Sequence, residues 1–429
     1  MTVLSDVLIK GGTIVDARGE RPADVLIGPD GRIAAVGLGL AASRTLDAGG
    51  CIVAPGLVEV AAQLGEPGRE GTETIETATR AAALGGFTAV VARPDTDPAI
   101  DNAGVVREID ALARSALCQV ACSATVTVGG VGHGRLSPLA ELAALGVRLF
   151  VDEGVGTQDP RLLRRALEYA SDLNVIIGQH PEDSSLARGG FMHEGAWSSR
   201  LGLAGIPAEA EELAVMRDIA LARLTGSALH FRRLTTEGSL AMVKAARRAG
   251  LGITVEAAVQ HAVLTDAALA DYDPMAVFRP PLRPESDRAA LVVALADGAV
   301  DVLSADHSPQ APEDKEAPVD SCAPGAIGLE TVLALAISRL DLPMTKLLQL
   351  LSWRPAALVG LQGEQGGPLE EGRLANICVI DPNAEWSYDP RAGASRGRNS
   401  PFAGWKLRGR VRHTVFRGEP VVVDGKAQR

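Results

Sequence analysis

The feature that most constrains this chain is a repeated alternation between about residue 53 and residue 361: a helix-like stretch, then a short apolar strand. Thr72 to Leu84 reads as a helix stopped by Gly85-Gly86, and Thr88 to Ala92 as the strand after it. Arg161 to Leu173 precedes the strand Val175 to Gly178, and Ala208 to Leu224 precedes Ala228 to Arg232. Ser239 to Ala249 precedes Ile253 to Ala257, and Arg288 to Ala296 precedes Val300 to Ser304. Short apolar strands separated by crossover helices pair in parallel and are covered on both faces. About eight such units in roughly 250 residues predict a (β/α)8 barrel of the TIM type, with functional groups at the C-terminal ends of its strands. No Gly-x-Gly-x-x-Gly follows a first strand, which weighs against an open doubly wound sheet.

The two ends of the chain read differently. Asp6 to Val36 breaks into short strands with turns at Gly11-Gly12 and Pro29-Asp30-Gly31. Near the other end, Ile377 to Ile380 reads as a strand and Val411 to Val423 as a hairpin around Gly418. A small β-sandwich domain built jointly from residues 1–52 and 362–429 is therefore expected beside a barrel spanning 53–361.

Composition narrows the setting. Aromatics are only 3% of 429 residues while the hydrophobic fraction is 46%, so the core must rest on Ala, Val, Leu and Ile. A net charge of −11 argues against nucleic acid or an acidic membrane surface as partner. Cys51, Cys118, Cys122, Cys322 and Cys378 are scattered and form no CxxC pair, which fits a reducing cytoplasm and no structural zinc. The alternating segment Met1 to Asp16 does not read as a signal peptide, and no apolar run approaches the ~18 residues of a membrane span.

Several segments at the expected strand ends carry a family pattern. They are Ala54-Pro55-Gly56-Leu57-Val58-Glu59-Val60-Ala61-Ala62-Gln63-Leu64-Gly65-Glu66-Pro67-Gly68, Arg200 to Glu211 (RLGLAGIPAEAE), Pro280-Pro281-Leu282-Arg283, Ala305-Asp306-His307-Ser308-Pro309 and Ser400-Pro401-Phe402-Ala403-Gly404-Trp405. In colinear order over nearly the whole chain, these resemble the dihydroorotases, within the amidohydrolase superfamily. The resemblance implies hydrolysis or closure of a cyclic amide with zinc-activated water. It also implies a ligand set: a His-x-His pair on the first barrel strand, a carboxylate midway, two later histidines and a final aspartate.

Carried onto this sequence, the pair falls on Ala61 and Gln63, the carboxylate on Glu153, the two histidines on His180 and Arg233, and the aspartate on Asp306. Three of these positions lack a useful ligand, and Arg233 brings a cation into a dication site. The positions implied for holding the substrate carboxylate are Gly65, Asp95, Arg279 and Gln310, none of which matches the family pattern. The expectation is accordingly a site without zinc or other cofactor and an inactive dihydroorotase homologue, in which Asp306 is vestigial. The resemblance then implies a supporting role for aspartate carbamoyltransferase, as a homodimer or in a larger hetero-oligomer. The alternatives are a weak or mono-metal amidohydrolase acting on a cyclic amide such as dihydroorotate, and a small-molecule sensor.

Bland readings stand beside these. His180 alone is a hydrogen-bonded strand-end residue, Asp306 a buried paired carboxylate, and His133, His193 and His413 show no ligand spacing. For Arg233 the expectation is an inward side chain that shares a face with Leu229 and Phe231 and pairs with Asp306 or Glu153. His230 is expected to face outward.

Overall fold

The computed structural model describes residues 6–429. Eight short parallel strands form the centre: Leu57–Ala62, Phe87–Ala92, Gln119–Cys122, Leu149–Val151, Ile176–Gln179, Leu229–Phe231, Ile253–Ala258 and Val302–Ser304. They make an arc of three strands and an arc of five. Parallel bridges Ala124–Phe150 and Ala62–His307 join the arcs at both seams and close the ring. The alternating helix-and-strand pattern thus resolves as a barrel rather than an open sheet.

The helices sit where the periodicity puts them, with ends set by their caps. Ile75–Leu84 is capped by Thr74, whose hydroxyl accepts from the Thr77 N–H, so the expected start at Thr72 is trimmed by three residues. Pro160–Ser171 is capped by Asp159, and Glu237–Arg248 by Thr236. With few aromatics available, Ala78, Ala81, Ala82, Ala166, Val215, Val243, Leu291 and Leu295 fill the space between helices and strands. Small side chains let the helices approach the ring closely.

Both chain ends meet in two sheets. One contains Ile33–Gly37, Asp24–Ile27, Val7–Lys10 and Arg44–Asp47. The other contains seven strands and includes Thr13–Asp16, Ile52–Pro55, Ile377–Ser387, Lys406–Phe416 and Glu419–Val423. Ile9, Ile14, Val25, Leu46, Val53, Ile377, Val379 and Val415 pack between them as a separate core. Ile52–Pro55 pairs antiparallel with Ile377–Ile380 inside the larger sheet, so the boundary expected at residue 53 falls within a strand of the terminal domain. The barrel begins two residues later, at Leu57.

Among the described residues no helix is long and apolar enough to cross a membrane, and all five cysteines are unpaired. The first five residues of the segment read above as lacking a signal peptide lie outside the described residues.

Candidate active site

Arg93, Glu153, Arg233 and Asp306 follow the second, fourth, sixth and eighth strands and meet at the C-terminal mouth of the barrel. Two of them arrive through unusual backbone. Arg233 has φ +52 and Asp306 φ +46, left-handed conformations that cost a residue with a β-carbon on the order of 1–3 kcal/mol. The loop beyond Arg233 is pinned by Glu211, whose buried carboxylate accepts from the N–H groups of Thr235 and Thr236 and from both hydroxyls.

Held this way, the Arg233 guanidinium is 2% exposed. Its Nη1 donates to Asp306 at 2.5 Å and its Nη2 to Glu153, with His180 Nδ1 3.4 Å from the same Nη2. The pairing is the one the sequence suggests, but the route differs. Leu229 and Phe231 belong to the large apolar cluster that also contains helix side chains. It is His230 and Arg232 that point to the Glu256 carboxylate, and His230 is fully buried rather than outward-facing. Arg233 reaches the mouth because the left-handed turn interrupts the two-residue alternation of the strand. Arg232 is also buried, so the two neighbouring guanidiniums serve different layers: Arg232 with Glu256 below, Arg233 with Asp306 above.

The charges are mutually supporting. Burial opposes ionisation of Glu153, but Arg232, Arg233 and Arg93 outweigh it and hold the carboxyl well below its ordinary range. Burial also opposes the charge on Arg233, and Asp306 and Glu153 reverse that, so it stays protonated. His180 is pushed far below its usual value by burial and then by Arg233, which makes it a neutral imidazole. Deeper in the ring, burial raises Glu59 to about 8, while Arg232 overcomes burial and brings Glu256 to about 2.

Arg93 carries no expectation from the sequence, yet it is central here. Its Nε and Nη2 donate to the two oxygens of Asp95 at 3.2 and 2.9 Å, and its Nη1 to Ser308 at 2.8 Å. Gln63 also donates to Asp95, at 2.8 Å. Asp95 is therefore not a bare carboxylate, because a fork-shaped cation covers it. Gly65 cannot stand for an arginine clamp either: its φ is +77, and a β-carbon there would lie 2.0 Å from the Glu73 carbonyl oxygen. Arg279 pairs with Glu182, and Gln310 is tied to Asn399 and Pro324. Asp152, next to Glu153, is bonded to Thr127 and Thr157 and faces away from the mouth chemistry. His307, His193 and His413 have local partners (Glu73, Arg283 and Asp47) and are structural.

Above these groups lies a cleft of about 270 Å³. Arg69, Arg93, Arg233 and Arg279 line it together with Asp95 and Asp306, and Glu153 and Glu182 stand behind Arg233 and Arg279.

A family model described as dihydro-orotase-like matches residues 50–239. A dihydroorotase from Streptomyces coelicolor is 40% identical over 433 residues, covering 99% of this chain and all of that one. The chain belongs to the dihydroorotase family. A second dihydroorotase, from Pelotomaculum thermopropionicum, is 40% identical over 97% of this chain and 99% of its own length. The fold is also that of an L-hydantoinase from Arthrobacter aurescens, with a TM-score of 0.87 at 23% identity over 99% of this chain and 98% of that one. A D-hydantoinase structure gives 0.85 at 26% identity over 98% and 96%.

These relatives overturn the expectation of an inactive homologue and of a non-enzyme. Proteins this similar over nearly the full length are named dihydroorotase, and the structural neighbours are hydantoinases. Structurally, substitution at the ligand positions has not left an emptied site, since guanidiniums neutralise its carboxylates. The zinc pair that the family implies does not fit the residues present. Ala61 offers only a methyl group, the Gln63 amide is given to Asp95, and Arg233 projects between Glu153, His180 and Asp306. Among the described residues no group of three or more His, Cys, Asp or Glu is arranged to hold a metal ion.

Proposed function

We propose that this dihydroorotase-family chain opens or closes a cyclic amide such as dihydroorotate, slowly and without a zinc pair. The observation that carries the reading is Asp306 in an arginine-lined cleft, held by Arg233 at 2.5 Å with Arg93 at 3.6 Å. In the hydrolytic direction a water oxygen attacks the ring carbonyl carbon while Asp306 accepts the water proton. The carbonyl oxygen becomes an oxyanion facing the Arg93 and Arg233 guanidiniums. Collapse of that adduct breaks the carbon–nitrogen bond, and Asp306 returns the proton to the leaving nitrogen. The product is an open-chain ureido acid with one more carboxylate than the ring, and the arginines lining the cleft suit it. A guanidinium stabilises an oxyanion but does not bring water's pKa to about 7 as zinc does, hence the slow turnover.

The test is a dihydroorotase assay in both directions on protein stripped with a chelator. Turnover above background that survives the chelator supports the reading, and turnover no greater than that of Asp306→Asn overturns it. The proposal extends to a cytoplasmic location and to contact with aspartate carbamoyltransferase, as a homodimer or in a larger mixed assembly. Support is indirect: the family resemblance and the five unpaired cysteines. Gel filtration of the two proteins mixed at micromolar concentration tests the contact, and separate elution removes it.

A further inference from the structure

The poor fit to zinc raises the question of what balances the charge at the barrel mouth. Asp95, Glu153 and Asp306 converge there, and buried carboxylates without compensation are costly. The two guanidiniums are each shared. Arg233 bonds both Asp306 and Glu153. Arg93 bonds Asp95 at 2.9 Å and also lies 3.6 Å from Asp306 and 3.9 Å from Glu153. Glu153 and Asp306 are thus each faced by both cations, the arrangement of carboxylates that bridge two ions. Supporting groups are in place on either side: Gln63 donates to Asp95 at 2.8 Å and Gln260 to Asp306 at 3.2 Å. The left-handed backbone at both Arg233 and Asp306 brings the ends of this pair together against local preference.

We propose that Arg93 and Arg233 form a built-in two-cation centre that takes the electrostatic place of a metal pair, so that the fold and its mouth are independent of divalent ions. Arg93 is the second cation of that centre. The centre ties the ends of four alternate strands across the ring. This inference concerns what holds the site together and is read without turnover, so its failure is distinct from failure of the hydrolase reading.

The experiment compares the wild-type chain with Arg93→Met, Arg233→Met and the double variant Arg93→Met/Arg233→His. Metal content is measured by elemental analysis after growth with zinc, and melting temperature with zinc chloride or with EDTA. The wild type is expected to carry no stoichiometric zinc and to melt at the same temperature under both conditions. Each single variant should melt several degrees lower. The double variant places a new imidazole beside His180, Glu153 and Asp306, and should bind zinc saturably and melt higher with it. Wild-type protein that retains stoichiometric zinc or melts lower in EDTA overturns the proposal. So does an Arg93→Met variant that melts like wild type. If Arg93→Met does not fold, Arg93→Lys takes its place: it keeps the cation and must stay indifferent to zinc, and uptake of zinc by it overturns the proposal equally.

Discussion

Replacing Arg233 with alanine tests the charge balance at its centre. The side chain is buried, and both its carboxylate partners are buried beside it, with Glu153 side-chain exposure at 1% and that of Asp306 at 5%. Alanine would leave Glu153 with Arg232 at 3.6 Å and Arg93 at 3.9 Å, so that carboxylate keeps partial compensation. Asp306 would keep only Arg93 at 3.6 Å and the Gln260 amide. The loss is therefore closer to one orphaned buried charge than to two, about 3–5 kcal/mol. An unfolding entropy of about 0.9 kcal/mol/K for a chain of this length converts that to a fall of about 3–6 °C in Tm. Differential scanning calorimetry at pH 7 is the assay, with Arg233→Lys as a control that keeps the charge and loses the fork, and should fall in between. A Tm within about 1 °C of wild type, well short of the expected fall, would show that the guanidinium is incidental.

Asp306→Asn removes the proposed proton-transfer group and should lower kcat by about 10²–10⁴; steady-state assay decides, and an unchanged rate excludes the role. Glu59→Gln should change the pH dependence of stability. The folded carboxyl, at about 8, binds its proton more tightly than the ordinary value of 4.5, so its contribution is full below 4.5 and is lost as pH rises through 8. The Tm of the variant should gain on wild type steadily from pH 5 to pH 8, and a constant difference would contradict the assignment. Glu211→Ala strips four donors of their acceptor at Thr235 and Thr236 and should cost at least about 2 kcal/mol in urea unfolding. A cost below about half that would mean the Arg233 loop is held by other contacts.

The barrel is legible in the sequence because strand and helix alternate with different periods, and several helices begin at a side-chain cap or stop at a glycine. The two-ended sandwich is legible because short strands broken by turn residues, without intervening helical stretches, recur at both termini. What the pattern misreads is the sixth strand. The two-residue alternation extrapolates from Leu229 and Phe231 to Arg233, but the strand's inward side chains are His230 and Arg232, and Arg233 joins them only because the backbone turns left-handed there. Arg93 leaves no trace in the pattern: it follows the apolar strand Phe87–Ala92 and looks like a solvated strand end. Only the convergence of three other strand ends gives it a task. The substitutions at Ala61, Gln63 and Gly65 are visible by position, and so is the cation at Arg233, but position alone omits Arg93, the second cation that fills the site.

Ile52–Pro55 finds its antiparallel partner only at Ile377–Ile380. During synthesis at about 5–20 residues per second, that partner leaves the ribosome roughly 15–65 s after the first strand does. For that interval the apolar edge of Ile52–Pro55 has no neighbour on that side, and the nascent barrel is joined to an unfinished half-domain. Folding of this chain is thereby gated by completion of translation, and a truncation near residue 370 would strand the N-terminal sheet with an open edge that invites aggregation.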